Sequence, residues 1–219
     1  ESNLQTFCEW LFAEENYNST VLCHNFQGYD SYPILQYLYK NAIVPNVVPN
    51  GAKIMSLTVP SCKIKMIDSL NFLPMALAKL PSMFGFDELK KGYFPHLFNK
   101  QDNQNMVLDG LPDIKYYNPD AMKPADRKLF MKWYTAHKDF QTELLDYCKS
   151  DVDILRRCCL QFRKDFMTTT AVDPFERCIT IASACNLVFR TNFLQPETIA
   201  IISHHGYKPE QKQSIKALQ

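Results

Sequence analysis

Helical and strand-like hydrophobic patterns alternate along this chain, and their order restricts it to an α/β arrangement with a mixed sheet. An apolar stripe predicts an amphipathic helix over residues 4–13, and the short apolar run Val21–Cys23 predicts a buried strand. A second helix is predicted over Pro33–Asn41. The β-formers in Ile54–Val59 and Lys63–Ile67 predict a pair of antiparallel strands.

The second half of the chain is predicted to be helical on either side of one long connection. Residues 90–125 are rich in Asn, Asp, Gly and Pro with weak periodicity, which predicts an irregular segment. Helices are predicted over Pro74–Leu80, over a short piece that ends at Gly85, from Pro124 onward, over Phe140–Thr168 and over residues 176–193.

Two local signals set boundaries in the first half of the chain. Ser31 stands two residues before Pro33 and is the predicted N-cap of the second helix, because its hydroxyl can accept a hydrogen bond from a free amide. The tripeptide Pro49-Asn50-Gly51 predicts a turn before the antiparallel strands.

The charge balance gives no overall attraction to nucleic acid. The 219 residues include 24 basic and 23 acidic side chains, for a formal net charge of +1. Any binding of a polyanion must therefore depend on a local groove.

The eight cysteines contain no C-x-x-C pair and lie mostly in apolar or helical stretches, as small buried hydrophobic residues do. A chain of this length builds a core without disulfides, so a reducing location in the nucleus or cytoplasm is expected, and not secretion. Cys178 and Cys185 are poorly spaced for zinc, and no metal site is expected at the adjacent His204-His205. No apolar run approaches the ~20 residues that span a bilayer, so no membrane partner is expected.

The first polar motif, His24-Asn25-Phe26-Gln27-Gly28-Tyr29-Asp30, directly follows the strand Val21–Cys23. Asn, Gly and Asp are favoured in ordinary strand-to-helix loops, and that structural interpretation stays open. In the functional interpretation, Asp30 holds a metal-bound water while Asn25 and Tyr29 contact a nucleic-acid strand. Mg²⁺ or Mn²⁺ would suit such oxygen ligands.

The second polar motif, Tyr147-Cys148-Lys149-Ser150-Asp151, lies about 120 residues downstream in the long predicted helix. Tyr147 and Asp151 are four residues apart and project from one helix face, a pairing that also occurs in helices without a site. The chemical interpretation has Asp151 as a metal ligand and Tyr147 orienting a nucleophilic water. Asp146 and Asp153 lie off this face and are expected to be solvated surface charges.

Two further motifs lie between these signatures. In Asp68-Ser69-Leu70, the ordinary interpretation is an N-cap at the start of a helix, and the functional one has Ser69 and Leu70 contacting a single strand.

In Lys90-Lys91-Gly92-Tyr93-Phe94, the lysines are either solvated, or Lys91 neutralises the scissile phosphate while Tyr93 or Phe94 stacks on a base.

Taken in order, the series N-x-x-x-Y-D, D-S-L, K-x-x-F and Y-x-x-x-D resembles the 3′–5′ proofreading exonuclease domain of family B DNA polymerases. More narrowly, it is similar to the protein-primed branch of phages, linear plasmids, viruses and Polinton/Maverick elements. The matching positions are Asn25, Tyr29 and Asp30 for the second exonuclease motif, Tyr147 and Asp151 for the third, Ser69–Leu73 for the (S/T)-L-x-x-h motif, and Lys91–Phe94 for the K-x-x-h motif.

This resemblance implies a ribonuclease H-like exonuclease fold over residues 1–170 and a helical connector over 171–219 that leads to a polymerase palm. The family's first motif, D-x-E, is absent, so the domain is expected to be truncated at its N-terminal strands and nearly inactive alone. The resemblance also implies a two-metal Mg²⁺ or Mn²⁺ site at Asp30 and Asp151. Tyr147 would position the water, and Lys91 would support the phosphate.

The implied partners are the 3′ end of single-stranded DNA, primer–template DNA and a terminal protein primer. Two alternatives stay open beside a fragment of a DNA-replicating polymerase. One is a stand-alone 3′–5′ exonuclease of the DEDDy type, and the other is a catalytically inactive nucleic-acid-binding remnant.

Overall fold

The computed structural model describes residues 3–103 and 106–198. Its helices are α1 (Asn3–Leu11), α2 (Ser31–Lys40), α3 (Leu80–Phe84), α4 (Pro124–Ala136), α5 (Phe140–Thr170), α6 (Pro174–Arg177) and α7 (Ile181–Asn192). Its strands are β1 (Thr20–Cys23), β2 (Asn46–Asn50), β3 (Lys53–Val59) and β4 (Ile64–Asp68). No helix in this described part combines the length and hydrophobicity that crossing a bilayer requires. The His204-His205 pair lies outside the described residues.

The four strands form one mixed sheet in the order β1-β4-β3-β2. β1 is parallel to β4, while β2 and β4 are each antiparallel to β3, so the predicted antiparallel pair is confirmed. Because β1 and β4 are parallel, their last residues, Cys23 and Asp68, are paired at the same edge of the sheet. The polar segments that follow these two strands therefore start side by side.

The sheet separates two hydrophobic clusters. Successive side chains of a strand point to opposite faces, so Met66 joins one cluster and Ile67 the other. α1 and α2 cover the first face, where Leu38 is fully buried. α3 and α5 cover the second face, where Ile154 is fully buried. Burying a side chain of this size contributes about 1.5–3 kcal/mol. The first layer therefore holds α2 against one face of the sheet, and the second layer holds α5 against the other.

Two predicted boundaries in the first half are wrong. α2 begins at Ser31 itself, and the residue in the N-cap position is Asp30, whose side chain makes no capping hydrogen bond. The predicted turn at Pro49–Gly51 is displaced, because β2 continues to Asn50 by pairing with Lys53. The turn then occurs at Gly51 and the following residue, with Gly51 at φ +61°.

Two predicted helices also differ from the structure. Residues 74–80 contain only a 3₁₀ turn at Leu77–Lys79 before α3, which ends as predicted at left-handed Gly85. The helix predicted over 176–193 is divided into α6 and α7. It divides because Thr180 caps α7 in a reciprocal pair of hydrogen bonds with Ser183.

The long connection is irregular, as predicted, and packs through aromatic rings. Its described residues before α4 contain three 3₁₀ turns and no strand. Tyr93 and Tyr117 lie with ring centroids 5.1 and 5.3 Å from Phe130, which is fully buried on α4. This cluster gives the connection a small core of its own.

Candidate active site

The loop after β1 has a defined backbone conformation. Asn25 adopts a left-handed φ of 65°, and its carbonyl accepts a hydrogen bond from the amide of Gly28 at 2.9 Å. Phe26 points into the core and is fully buried. A Cβ atom at Gly28 would lie 2.7 Å from Nδ2 of Asn25, so the Asn25 amide occupies space that only glycine leaves open.

A buried acidic side chain joins this loop to the end of β4. Asp68 is completely inaccessible to solvent. Its Oδ1 accepts from the amides of Asn25 at 2.9 Å and Leu70 at 3.0 Å, and its Oδ2 accepts from the amide of Gln27 at 3.2 Å. One carboxyl group therefore satisfies main-chain donors of both segments.

Ser69 faces an internal partner. Its side chain is fully buried, and its Oγ lies 2.8 Å from Nδ1 of His24. Burial lowers the pKa of His24, although the charge of Asp68 and the carbonyl of Met75 oppose the shift. The Ser69 hydroxyl is thus engaged by a neutral imidazole instead of facing solvent, while Leu70 is half-buried.

Tyr29 and Asp30 lie on the outer side of the loop. The Tyr29 side chain is 74% exposed. Asp30 is exposed as a whole residue, yet its carboxyl group is partly desolvated. This desolvation is the largest cause that raises its pKa, and the charge of Asp68 is the second. The fold therefore disfavours the ionised form of Asp30. A raised carboxyl pKa of this kind is common at sites that bind a cation.

On α5, Tyr147 and Asp151 project from one face as their spacing predicts, and Lys91 lies beside both. The Lys91 Nζ is 3.5 Å from Oδ2 of Asp151 and 5.4 Å from the centroid of the Tyr147 ring. Burial alone would lower the pKa of Lys91, but the Tyr147 hydroxyl and the Asp151 charge outweigh it and raise the pKa. Burial raises the pKa of Tyr147, so the phenol keeps its proton at neutral pH.

One oxygen of Asp151 is unused. Its Oδ1 is buried and has no hydrogen-bond partner, although its Oδ2 contacts Lys91. A buried carboxylate oxygen without a donor is costly unless a cation or a water satisfies it. In contrast, Asp146 and Asp153 pair with Lys149 and Arg156 on the helix surface, as predicted.

The segment before the aromatic connection is held directly against α5. The Ser150 hydroxyl donates to the carbonyl of Lys90 at 2.9 Å. Gly92 approaches Tyr147 so closely that a Cβ atom there would lie 3.2 Å from the ring carbon Cδ2. The Phe94 ring lies 5.2 Å from the Tyr147 ring. These contacts set the position of Lys91.

Nine of the ten predicted residues fall into two groups. We call Asn25, Tyr29, Asp30, Ser69 and Leu70, which lie on the two segments that Asp68 joins, the sheet half of the site. We call Lys91, Phe94, Tyr147 and Asp151 the helix half. Tyr93 belongs to neither, because its ring packs on Phe130 and Trp133 in the connection.

His24 links the two halves. Burial has the largest effect on its pKa and lowers it, the charges of Asp68 and Asp151 raise it, and the charge of Lys91 lowers it. Within residues 3–103 and 106–198, no three His, Cys, Asp or Glu side chains are grouped closely enough to hold a metal ion. Neither Asp30 nor Asp151 therefore belongs to a three-ligand group in the described part of the chain.

The motifs that predicted the site contain two residues, Asp68 and His24, whose structural roles the sequence analysis missed. His24 directly follows β1 and Asp68 is the last residue of β4, and the parallel pairing of Cys23 with Asp68 brings the two together. The signal that could have found them is a polar residue at the carboxyl end of each buried strand, where parallel neighbours meet.

The fold and the site define an α/β protein with an acidic candidate site at the carboxyl ends of two parallel strands. The family model of organellar and viral type B DNA polymerases matches residues 13–216. The chain therefore belongs to the organellar and viral type B DNA polymerases. No solved structure matches it.

Curated relatives are similar over most of this chain. A probable DNA polymerase from Ascobolus immersus is 29% identical over 205 residues, covering 88% of this chain and 17% of the relative. A probable DNA polymerase from Agaricus bitorquis is 29% identical over 144 residues, covering 64% and 18%. A DNA polymerase from Kluyveromyces lactis is 23% identical over 203 residues, covering 83% and 19%. The chain thus spans less than a fifth of the length of these relatives.

Proposed function

We propose that this chain forms part of the 3′–5′ proofreading exonuclease of a DNA polymerase that acts in DNA replication. The observation that carries the proposal is the cluster of Lys91, Tyr147 and Asp151, in which the Asp151 Oδ1 is buried without a partner. The lysine charge can neutralise a phosphate, the protonated phenol can orient a water, and the unpaired carboxylate oxygen can bind a divalent cation that assists phosphodiester hydrolysis. The family membership makes DNA the expected substrate class.

The donor set fits a hard divalent cation in part. Asp151 offers a free buried oxygen, and Asp30 offers a carboxyl group whose pKa is raised by desolvation and by Asp68. Both are oxygen ligands of the type that Mg²⁺ and Mn²⁺ prefer. When bound, such a cation would polarise the scissile phosphate and activate a water.

The side chains of the helix half would act on the phosphate and the water. Tyr147 keeps its proton and can donate a hydrogen bond that orients a water near Asp151. Lys91 stays charged and can neutralise a phosphate oxygen.

The sheet half would hold the 3′ end of a single strand through Asn25, Tyr29 and Leu70, with Tyr29 free to stack on a base. Ser69 would act through His24, because its own hydroxyl is buried.

We further propose a ribonuclease H-like fold for residues 1–170. Its support is the parallel β1–β4 pair beside antiparallel β3, with α5 packed on one face and the acidic residue Asp68 at the end of β4. Residues 171–198 would belong to a connector to the polymerase region, and the rest of the expected connector, 199–219, lies outside the described residues. The same proposal places the parent polymerase inside the cell and gives it primer–template DNA and a terminal protein primer as partners.

The chain alone is expected to hydrolyse DNA weakly or not at all. Charge count governs the affinity for a hard cation, and Asp30 and Asp151 lack a third acidic ligand in the described residues. Incubation with single-stranded DNA and Mg²⁺ or Mn²⁺ tests this. Robust trimming that depends on Asp151 would contradict the expectation.

The strand-binding part of the proposal is tested by a matched pair of lysine variants. Lys91→Met is expected to weaken binding of a fluorescent single-stranded oligonucleotide by about tenfold, which is ~1.4 kcal/mol. Lys90→Met removes the same charge from the neighbouring residue and is expected to change the affinity little. Equal losses in the two variants would indicate only general electrostatic attraction and would contradict the site.

A second candidate function is a non-catalytic single-strand-binding module. The observation that favours it is the absence of a three-ligand metal group in the described part of the chain. Oligonucleotide binding that survives the double change Asp30→Ala and Asp151→Ala, with no cleavage when a longer parent protein is used, would favour this alternative.

A further inference from the structure

We infer that Asp68 is a positioning residue. It sets the conformation of the two segments, residues 24–30 and 69–71, that are proposed to contact the DNA strand. The inference rests on the proposed function, because that function places the two segments that Asp68 joins in a nucleic-acid site. Asp68 itself touches neither strand nor phosphate, since it is fully buried.

The geometry requires one side chain to serve two segments at once. Asp68 is the last residue of β4, and its neighbour across the parallel pair is Cys23, the last residue of β1. Its Oδ1 bridges the amides of Asn25 and Leu70, and its Oδ2 accepts from Gln27. A shift of this carboxyl group would therefore move the Asn25 loop and the Leu70 turn together.

The chemistry of the three contacts selects a carboxyl group. All three partners are main-chain donors, and an ionised carboxyl group is an acceptor at both oxygens. An asparagine would present an NH₂ group to one of them and place donor against donor. No salt bridge reaches Asp68 within the described residues, so main-chain amides take the place of a cationic partner.

The loop conformation depends on these contacts. Asn25 is in the left-handed region, which costs a non-glycine residue free energy, and the bond from its amide to Asp68 opposes that cost. The same conformation places the Asn25 amide group against Gly28. Asp68 thus fixes the direction of a side chain that the proposed function assigns to the DNA strand.

The experiment compares Asp68→Asn with Asn25→Ala and with the two changes combined. Binding of a single-stranded oligonucleotide with a free 3′ hydroxyl is measured by fluorescence anisotropy. Each single change is expected to weaken binding by about tenfold, ~1.4 kcal/mol. The double variant is expected to lose less affinity than the two single losses added together, because part of the effect of Asp68 passes through Asn25. Asp173→Asn is the matched control, since Asp173 also accepts from a backbone amide, that of Phe175, outside the site.

Amide hydrogen exchange gives a readout that does not depend on DNA. In the unmodified chain, the amides of Asn25, Gln27 and Leu70 are expected to exchange slowly, and Asp68→Asn is expected to release Gln27 selectively. This measurement holds even if a variant is too unstable for binding assays, because the unmodified chain already tests the three bonds.

Three results would overturn the inference. They are rapid exchange of all three amides in the unmodified chain, unchanged oligonucleotide affinity in Asp68→Asn, and binding losses that add in the double variant, as a merely structural role predicts. A failure of the unmodified chain to bind the oligonucleotide would instead overturn the proposed function, and the amide pattern would still decide the positioning role.

Discussion

The two halves of the candidate site are held in place by different means. In the sheet half, main-chain amides of two segments converge on the buried side chain of Asp68. In the helix half, Lys91, Tyr147 and Asp151 contact one another through side chains that are partly exposed. The sheet half is thus part of the folded framework, whereas removing the Lys91 or Asp151 side chain from the helix half is expected to disturb the backbone less. The predictions below test that difference.

The largest expected effect is on stability, from Asp68→Ala. Three part-buried main-chain amides would lose a charged acceptor, at about 1 kcal/mol or more each, so a total loss of at least ~3 kcal/mol is expected. Asp151→Ala removes a partly exposed ion pair and is expected to cost under ~1 kcal/mol. Urea denaturation of both variants measures the difference. Equal losses would contradict the contrast between the halves.

The next effect compares two glycines. Gly28 lies outside the left-handed region, so Gly28→Ala adds no backbone strain. Its methyl group would displace the side-chain amide of Asn25. The free energy of unfolding should change by no more than ~1 kcal/mol, while oligonucleotide affinity should fall about tenfold.

Gly92→Ala is the counterpart in the helix half. Its methyl group would meet the edge of the Tyr147 ring at 3.2 Å, which a small ring movement relieves, so a smaller loss of affinity is expected. A larger loss at Gly92 than at Gly28 would reverse the assignment of Asn25 as the more sensitive contact.

The sequence predicted the antiparallel β3–β4 pair and α5 well because both depend on local patterns of residues. The spacing of Tyr147 and Asp151 was enough to place them on one face. The approach of Lys91 was not foreseeable in detail, since it depends on Gly92 packing on Tyr147 and on Ser150 holding the carbonyl of Lys90. Such contacts join residues about 60 positions apart in sequence.

The wrong predictions share a physical cause. Ser31 was assigned from residue preference and the 176–193 helix from periodicity, whereas α2 begins with Ser31 buried in the fold and α7 begins at the Thr180–Ser183 capping pair. The Thr180 and Ser183 pair is a readable signal in which serine replaces the usual Glu at the third helical position. Asp68 was assigned an ordinary capping role, which is correct for Leu70 but omits the loop across the sheet.

A smaller effect is expected from Asp30→Asn. Because desolvation and Asp68 raise the pKa of Asp30 above its ordinary 3.8, its ionised form costs stability once the pH exceeds the folded-state pKa. At pH 7 the neutral asparagine should therefore raise the free energy of unfolding slightly. Urea midpoints at pH 7 test this, and a loss of stability would show that Asp30 has a stabilising partner instead.

The smallest effect is a pH dependence from His24. Its pKa is lowered from the ordinary 6.5, so the unfolded chain takes up the proton first as the pH falls. Stability should be retained above pH 6.5 and should decline as the pH falls below it, towards the folded-state pKa. His24→Gln should flatten the urea midpoint between pH 7.5 and 5.5, whereas His96→Gln, at an exposed residue, should leave the slope unchanged.

The central claim is that Asp30 and Asp151 face one cation-binding position between the two halves. Paramagnetic broadening by Mn²⁺ in NMR spectra tests it most directly, because it locates even weakly bound ions. We expect signals of Asp30, Tyr147 and Asp151 to broaden at the same Mn²⁺ concentration. Asp151→Asn should abolish that broadening, while Asp153→Asn, on the helix surface, should leave it intact. Broadening that affects Asp30 and Asp151 independently, or that survives Asp151→Asn, would contradict the account.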